Sequence, residues 1–513
     1  MRTPTLKQRA LKVWADNLKK GHVLRTVEDI PDSTVREILK RENLIFSIRR
    51  GFFILKKPED DAEQLFLLLY WQIIEMLLER YKPWSIRAES ALELLIGNEQ
   101  SQKHLLVRTA KKINKTLILP FDFKVTLVFD KNFDPRTTRE IKMAGRSLSV
   151  DVPEKVLIDA VSQRVHISSN YRSFIRGAKF NTRLIEALYA GRPTPVIMRR
   201  VIEIAEKNGR QDLAVELQKI IRTYTFYYVS KRKEAEPVAA EKPESPLVSP
   251  WVAKQEELAR GFEEKLEEAL AGDIGHLSRY QLPELIANAQ EHKRYDVYHS
   301  TTLEGYQITP EEVDAVVLGR VPAEVKDRER HIDEIRNRMA ILGYSQAFDF
   351  ITDKVRKDFG ETHISQELTK DTYYHLFKPS ADSGIVEYLD LVAYRNAPAF
   401  IRGTRYVPPA PNKLVDLMES FEQSIDRVES SVIKAILAHY FFVTIHPYID
   451  GNGRTARLLM NYILLASGYE WITIRAEQRK PYFDALAEGQ LHEDILPFGK
   501  FIMSLMNQDT GKG

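Results

Sequence analysis

The twelve residues "HPYIDGNGRTAR", His446 to Arg457, decide how the C-terminal half of this chain folds. An imidazole, a carboxylate, a Gly-Asn-Gly turn and two arginines in one short loop suit a highly charged anion. The turn aims backbone N–H groups, the carboxylate can hold a metal ion, and both guanidiniums are permanently cationic. A nucleotide polyphosphate meets those demands. The flanks read as helices. "SVIKAILAHYFFVTI" is apolar throughout, and "RTARLLMNYILLASG" buries Ala456, Leu459, Met460 and Ile463 or Leu464 and ends at Gly468. Arg454 and Arg457 fall near its first turn, where their charge adds to the helix dipole and to the N–H groups of Gly451 to Gly453.

Working outward, 513 residues exceed one ordinary core and suggest about three domains. With 43% hydrophobic and 29% charged residues the chain is a folded one. It has no cysteine, which excludes disulfides and thiolate metal sites and suits a reducing compartment. The opening "MRTPTLKQRALKVW" lacks the apolar run of a signal peptide, so a cytoplasmic location is the expectation. "LFLLLYWQIIEMLL" is interrupted by Gln72 and Glu75 and falls short of the roughly 20 residues of a membrane span. It reads as a buried helix, and no membrane partner is expected.

"SKRKEAEPVAAEKPESPLVSP", residues 230–250, replaces apolar periodicity with Pro, Ala, Glu and Ser and reads as a linker. Upstream, residues 1–57 hold 14 Lys or Arg against 6 Asp or Glu, a local +8, while the other 456 residues sum to −5. Their order is helix, short helix, helix, hairpin. Asp32 or Ser33 caps a helix that turns Val35, Ile38 and Leu39 inward and Arg36, Lys40 and Arg41 outward, and "IFSIRRGFFILKK" makes a basic hairpin around Arg49, Arg50 and Gly51. This resembles a winged helix-turn-helix, which implies DNA binding through Arg36, Lys40, Arg41, Arg49 and Arg50. Residues 58–229 mix helices and strands into an α/β domain. With "RRGFFIL", "SALELL" and "SVDVPEKVLIDAV", residues 1–165 resemble the antitoxins of type IV abortive-infection systems.

Residues 251–513 resemble a Fic domain, whose signature His-Pro-Phe-x-Asp/Glu-Gly-Asn-Gly-Arg-x-x-Arg is met at every position but Tyr448. The resemblance implies a mostly α-helical domain with a β-hairpin flap, here "YRNAPAFIRGTRYVPPAP". It also implies transfer of AMP from ATP to a Ser, Thr or Tyr hydroxyl of a protein, the chain itself included. His446 would be the general base, Asp450 the Mg²⁺ ligand, and Gly451, Asn452 and Gly453 the holders of the α-phosphate. Arg454 would bind the β-phosphate and Arg457 the γ-phosphate, with Tyr482 against the adenine. His439, on the apolar helix, reads as a core residue.

A Ser-x-x-x-Glu-Gly pattern at Ser300, Glu304 and Gly305 resembles the inhibitory motif of class II Fic proteins. The resemblance implies that Glu304 pairs with Arg457 in the place of the γ-phosphate. It leaves open that the same glutamate positions a water for AMP removal. A different class of function also stays open, a DNA-binding antitoxin-like regulator that uses its Fic domain to sense nucleotide. Sequence does not fix the oligomeric state.

Overall fold

In this computed structural model the described residues are 5–19, 23–25, 28–143, 146–162, 169–189, 195–224, 249–320, 328–399, 401 and 404–508. All but the last two residues of the expected 230–250 linker lie outside them. The chain forms two compact units, Met1–Lys254 with Phe400–Val407, and Gln255–Ala399 with Pro408–Gly513.

The first unit begins with helix α1, Leu6–Leu18, which opens on a capping box between Thr5 and Gln8. Helix α2, Ser33–Arg41, starts where the Asp32 side chain accepts from the N–H groups of Thr34 and Val35. Strands β1, Val23–Arg25, β2, Ile45–Arg49, and β3, Phe52–Leu55, make an antiparallel sheet in the order β1-β3-β2. Ala10, Ile30, Val35, Leu39, Leu44, Phe53 and Leu55 form a small core of their own. The short helix expected before α2 is a turn at residues 28 and 29.

Six further strands follow: β4, Trp84–Ile86; β5, His104–Thr109; β6, Lys115–Ile118; β7, Lys124–Phe129; β8, Thr138–Met143; and β9, Arg146–Asp151. They pair in the order β6-β7-β5-β4-β9-β8, with β5 parallel to β7 and β4 parallel to β9. Leu105, Val107, Val125, Leu127, Leu148 and Val150 alternate inward, as a half-buried strand requires. A charged pair enters this core. Arg108 is 1% exposed, donating to Asp151 at 2.6 Å, to Asp130 at 3.1 Å and to the Thr137 hydroxyl at 2.8 Å.

Residues 400–407 group with this first unit. The Val407 N–H donates to Gln100 at 2.8 Å, the Gln100 amide donates back to the Val407 carbonyl, and Arg405 pairs with Glu63 at 2.5 Å. These contacts correct one expectation. No β-hairpin flap forms among the described residues of 394–411, while Phe400, Arg402 and Gly403 lie outside them. Pro398, Pro408, Pro409 and Pro411 have no N–H to give a ladder, and the Val407 backbone is taken by Gln100.

The second unit is helical, with no strand among its described residues. The helices that frame its loop are α3, Leu282–Leu303; α4, Arg328–Asp358; α5, Gln366–Asp382; α6, Ser431–Ile445; α7, Asn452–Ala466; and α8, Arg479–His492. Helix α6 is buried along nearly all its length, which is why its sequence is apolar on every side. No helix among the described residues is long and apolar enough to cross a membrane.

Because Asp151 is fully buried beside Arg108, Arg108→Met would strand a carboxylate in the sheet. Such a loss typically costs about 3–5 kcal/mol. Urea unfolding should show a marked drop in midpoint, and adding Asp151→Leu should recover part of it. An unchanged midpoint would show that the pair carries no stability.

Candidate active site

Helix α6 ends at His446, whose left-handed backbone (φ 54, ψ 58) turns the chain while its N–H still donates to Phe442. The imidazole is partly exposed. Its Nδ1 lies 3.3 Å from the Val443 carbonyl, which can only accept, so Nδ1 carries the proton and Nε2 keeps a lone pair. Burial is the main cause that lowers the His446 pKa to about 4, and the Arg395 charge adds to it. At neutral pH this histidine is therefore a neutral acceptor.

The loop beyond it is held by Asn452. Its side-chain oxygen accepts from the Tyr448 N–H at 3.0 Å, and its amide donates to the Tyr448 carbonyl at 2.8 Å. Both ends of the Asn452 amide thus support the loop itself. Gly451 precedes α7, and the amides of the first helical turn have no intrahelical carbonyl to reach. The Asp450 carboxylate stays 55% exposed while accepting from Gly451 at 2.6 Å and from Arg454 at 3.2 Å. No cluster of three His, Cys, Asp or Glu residues suited to a metal occurs among the described residues. An exposed hard carboxylate still suits Mg²⁺, which commonly takes one or two carboxylates together with substrate phosphates.

Arg454 and Arg457 are 1% and 2% exposed, deeper than a first-turn position alone suggests. The Arg454 guanidinium is sandwiched between the rings of Tyr306 and Phe377, at 5.1 and 5.0 Å from their centres. Arg457 is held by α3. Its Nε donates to the Ser300 hydroxyl at 3.2 Å, and its Nη2 donates to the Ser300 carbonyl at 2.9 Å and to Glu304 at 2.7 Å. Glu304 caps the end of α3, and Gly305 at φ 93 makes the exit. A Cβ on Gly453 would come within 2.4 Å of the Glu304 oxygen, so the missing side chain admits the carboxylate to the loop. One turn and two turns back from Glu304, Ser300 and Asp296 share its helix face. Asp296 is 1% exposed and accepts from Tyr344 at 2.9 Å and Thr473 at 2.8 Å.

Residues 363–464 match the Fic/DOC family. The second unit therefore carries a Fic domain. Over 210 residues the chain is 32% identical to the protein adenylyltransferase Fic of Drosophila grimshawi, covering 40% of each chain. It is 30% identical over 210 residues to that of Nematostella vectensis, covering 40% of this chain and 45% of the relative. The chain thus spans about two fifths of the length of the curated relatives it matches. The solved structure of Fic-1 (residues 134–508) from C. elegans superposes with a TM-score of 0.37 and 19% identity, covering 69% of this chain and 96% of that one. That likeness is too loose to carry single residues across.

The structure brings His446, Asp450, Gly451, Asn452, Gly453, Arg454 and Arg457 into the Fic-domain loop, with Ser300 and Glu304 against it. Tyr482 stands beside Arg457 with its ring buried. It is 1% exposed on α8, its hydroxyl 3.1 Å from the Nε2 of His439, a residue buried in the core. In the other unit, the Arg36 guanidinium donates to the carbonyls of Ile30 and Pro31 at 2.6 and 2.7 Å, Lys40 pairs with Glu37 at 3.0 Å, and Arg41 and Arg50 are exposed. Sequence reasoning passed over Arg395, Tyr306, Phe377 and Asp296. Each acts through residues distant in sequence, and no local spacing announces them.

Tyr448 lies flat on Tyr373, with ring centres 3.6 Å apart and planes within 3°. Its hydroxyl is buried with no hydrogen-bond partner among the described residues. Leaving such a group unsatisfied costs roughly 1–3 kcal/mol. Tyr448→Phe should therefore raise the melting temperature measured by calorimetry, and a lower value would show that the hydroxyl is satisfied.

Proposed function

We propose that the Fic domain is a class II protein adenylyltransferase, transferring AMP from ATP to a hydroxyl of a protein side chain and held off by Glu304. The observation that carries this reading is the occupancy of Arg457 by Ser300 and Glu304 beside a neutral histidine with its Nε2 lone pair available. The substrate hydroxyl would attack the α-phosphorus as its proton passes to His446. The new oxygen–phosphorus bond forms while the bond to pyrophosphate breaks. First-turn amides of α7 would hold α-phosphate oxygens, and Arg454 and Arg457 the departing pyrophosphate. Bound Mg²⁺, held by Asp450, would supply charge neutralisation to the phosphates. While Glu304 holds Arg457, the γ-phosphate has no place there.

A water-positioning role for Glu304 in AMP removal is supported by its carboxylate standing against Gly453 on the loop. The two directions separate by experiment. With α-labelled ATP and Mg²⁺, Glu304→Gly should raise labelling of added protein or of the chain itself. His446→Ala in that background should cut it about 10²- to 10⁴-fold, the usual loss for a general base, while ATP binding persists. Unchanged labelling in Glu304→Gly would remove the brake. Equal labelling by His446→Ala would remove the base and favour nucleotide sensing.

For residues 1–57 we propose a winged helix that binds DNA. The order helix, strand, helix, hairpin and the local +8 support it. Arg36 is engaged with its own chain, so backbone contact through Arg49 and Arg50 at the hairpin is the stronger expectation. Full-length protein should shift duplex DNA in gels with an affinity that falls steeply as salt rises. Arg49→Ala with Arg50→Ala should weaken every sequence alike. No shift at low salt would make the head a protein-docking module.

A further inference from the structure

Arg395 is 3% exposed in the second unit, on the segment that leads out of α5. Burying a guanidinium is costly unless its donors are met. Here they meet backbone carbonyls from two places. Nε donates to the His446 carbonyl at 2.7 Å, and Nη2 reaches that of Ile445 at 3.5 Å. Nη1 donates to the Ala397 carbonyl at 3.0 Å and Nη2 to that of Pro409 at 2.5 Å. The Arg395 backbone N–H adds a bond to the Pro447 carbonyl at 2.9 Å. Three consecutive peptide units around the histidine are thus held by one residue, at the point where the backbone takes a left-handed turn that non-glycine residues seldom adopt.

We propose that Arg395 is the positioning residue for His446: its planar fork fixes the carbonyls at the end of α6 against the two feet of the 397–409 segment. The inference rests on His446 being the base. Strain of this kind persists only where the surroundings over-determine it, and a rigid fork does so better than a point charge. The same residue ties the carbonyls of Ala397 and Pro409 to the peptide units of the base. Its charge also bears on the ring. Glu304 from the end of α3 and Asp450 from the loop draw a proton toward His446, the Val443 carbonyl of α6 does so too, and Arg395 opposes them.

The test uses the full chain with Arg395→Lys, which keeps the charge and loses the fork, and Arg395→Met, which loses both. Reaction of His446 with diethyl pyrocarbonate, followed across pH by peptide mass spectrometry, reads the imidazole without any need for catalysis. Arg395→Met should move its apparent pKa up by about 1 unit, the size of a nearby-charge effect, and Arg395→Lys should leave it near the parent value. In a Glu304→Gly background, self-labelling from α-labelled ATP should fall about 10-fold or more in Arg395→Lys, with ATP affinity near the parent's and the chain still folded by circular dichroism. Parent-like labelling in Arg395→Lys, or loss of ATP affinity and fold in step with labelling, would overturn the proposal. So would an unmoved His446 titration in a folded Arg395→Met. If the Glu304→Gly parent itself fails to label, the transfer reading falls, while the titration shift still decides whether Arg395 governs His446.

Discussion

A buried guanidinium must have its donors met, and at Arg457 the way they are met, by a carboxylate and a serine, organises the Fic domain. The residue is 2% exposed at the start of α7, where the helix dipole makes a second positive charge costly. Glu304 supplies the countercharge, and Ser300 meets two of the remaining donors. The end of α3 is pinned by that demand, and Asp296, two turns earlier on the same face, anchors the helix to Tyr344 and Thr473. Removing the carboxylate leaves a charge that another anion would satisfy. The proposed inhibition and polyphosphate binding would therefore answer the same need.

Much of this was legible in the sequence because it is local. The histidine, the turn and both arginines fall within twelve residues, and Ser300 and Glu304 lie one helical turn apart. The helices around them follow from apolar runs. What could not be read involves partners far along the chain. Phe377 and Tyr306 reach Arg454 from α5 and from beyond α3, and Arg395 reaches the histidine across about fifty residues. Asn452 shows a subtler limit, since the motif names the residue but not that both ends of its amide serve the Tyr448 backbone.

The departures have identifiable causes. "YRNAPAFIRGTRYVPPAP" carries β-branched and aromatic residues that suggest strands, yet its prolines remove the donors a ladder requires, and Gln100 satisfies Val407 instead. Arg36 belongs to an outward-facing basic set by periodicity, but it closes the turn before α2 by holding two carbonyls. In the first unit, residues 58–229 read as a mix of helices and strands, whereas the mixed parallel and antiparallel pairing comes only from the register of strands remote in sequence.

Glu304, Gly305 and Tyr306 are consecutive, and the first and last of them touch the two arginines of the loop. Fraying of this helical end would therefore release Arg457 from its carboxylate and take one ring away from Arg454, which keeps Asp450 and Phe377. Were the last turn of α3 to exist closed or frayed, its open fraction would scale the apparent affinity for the proposed nucleotide. Anything that favours the frayed form, whether a partner drawing on residues 304–306 or a rise in polyphosphate itself, would act through that fraction without touching the chemistry. On the proposed reading the loop would supply the reaction, and the winding of one helical turn would set how much of the population can perform it.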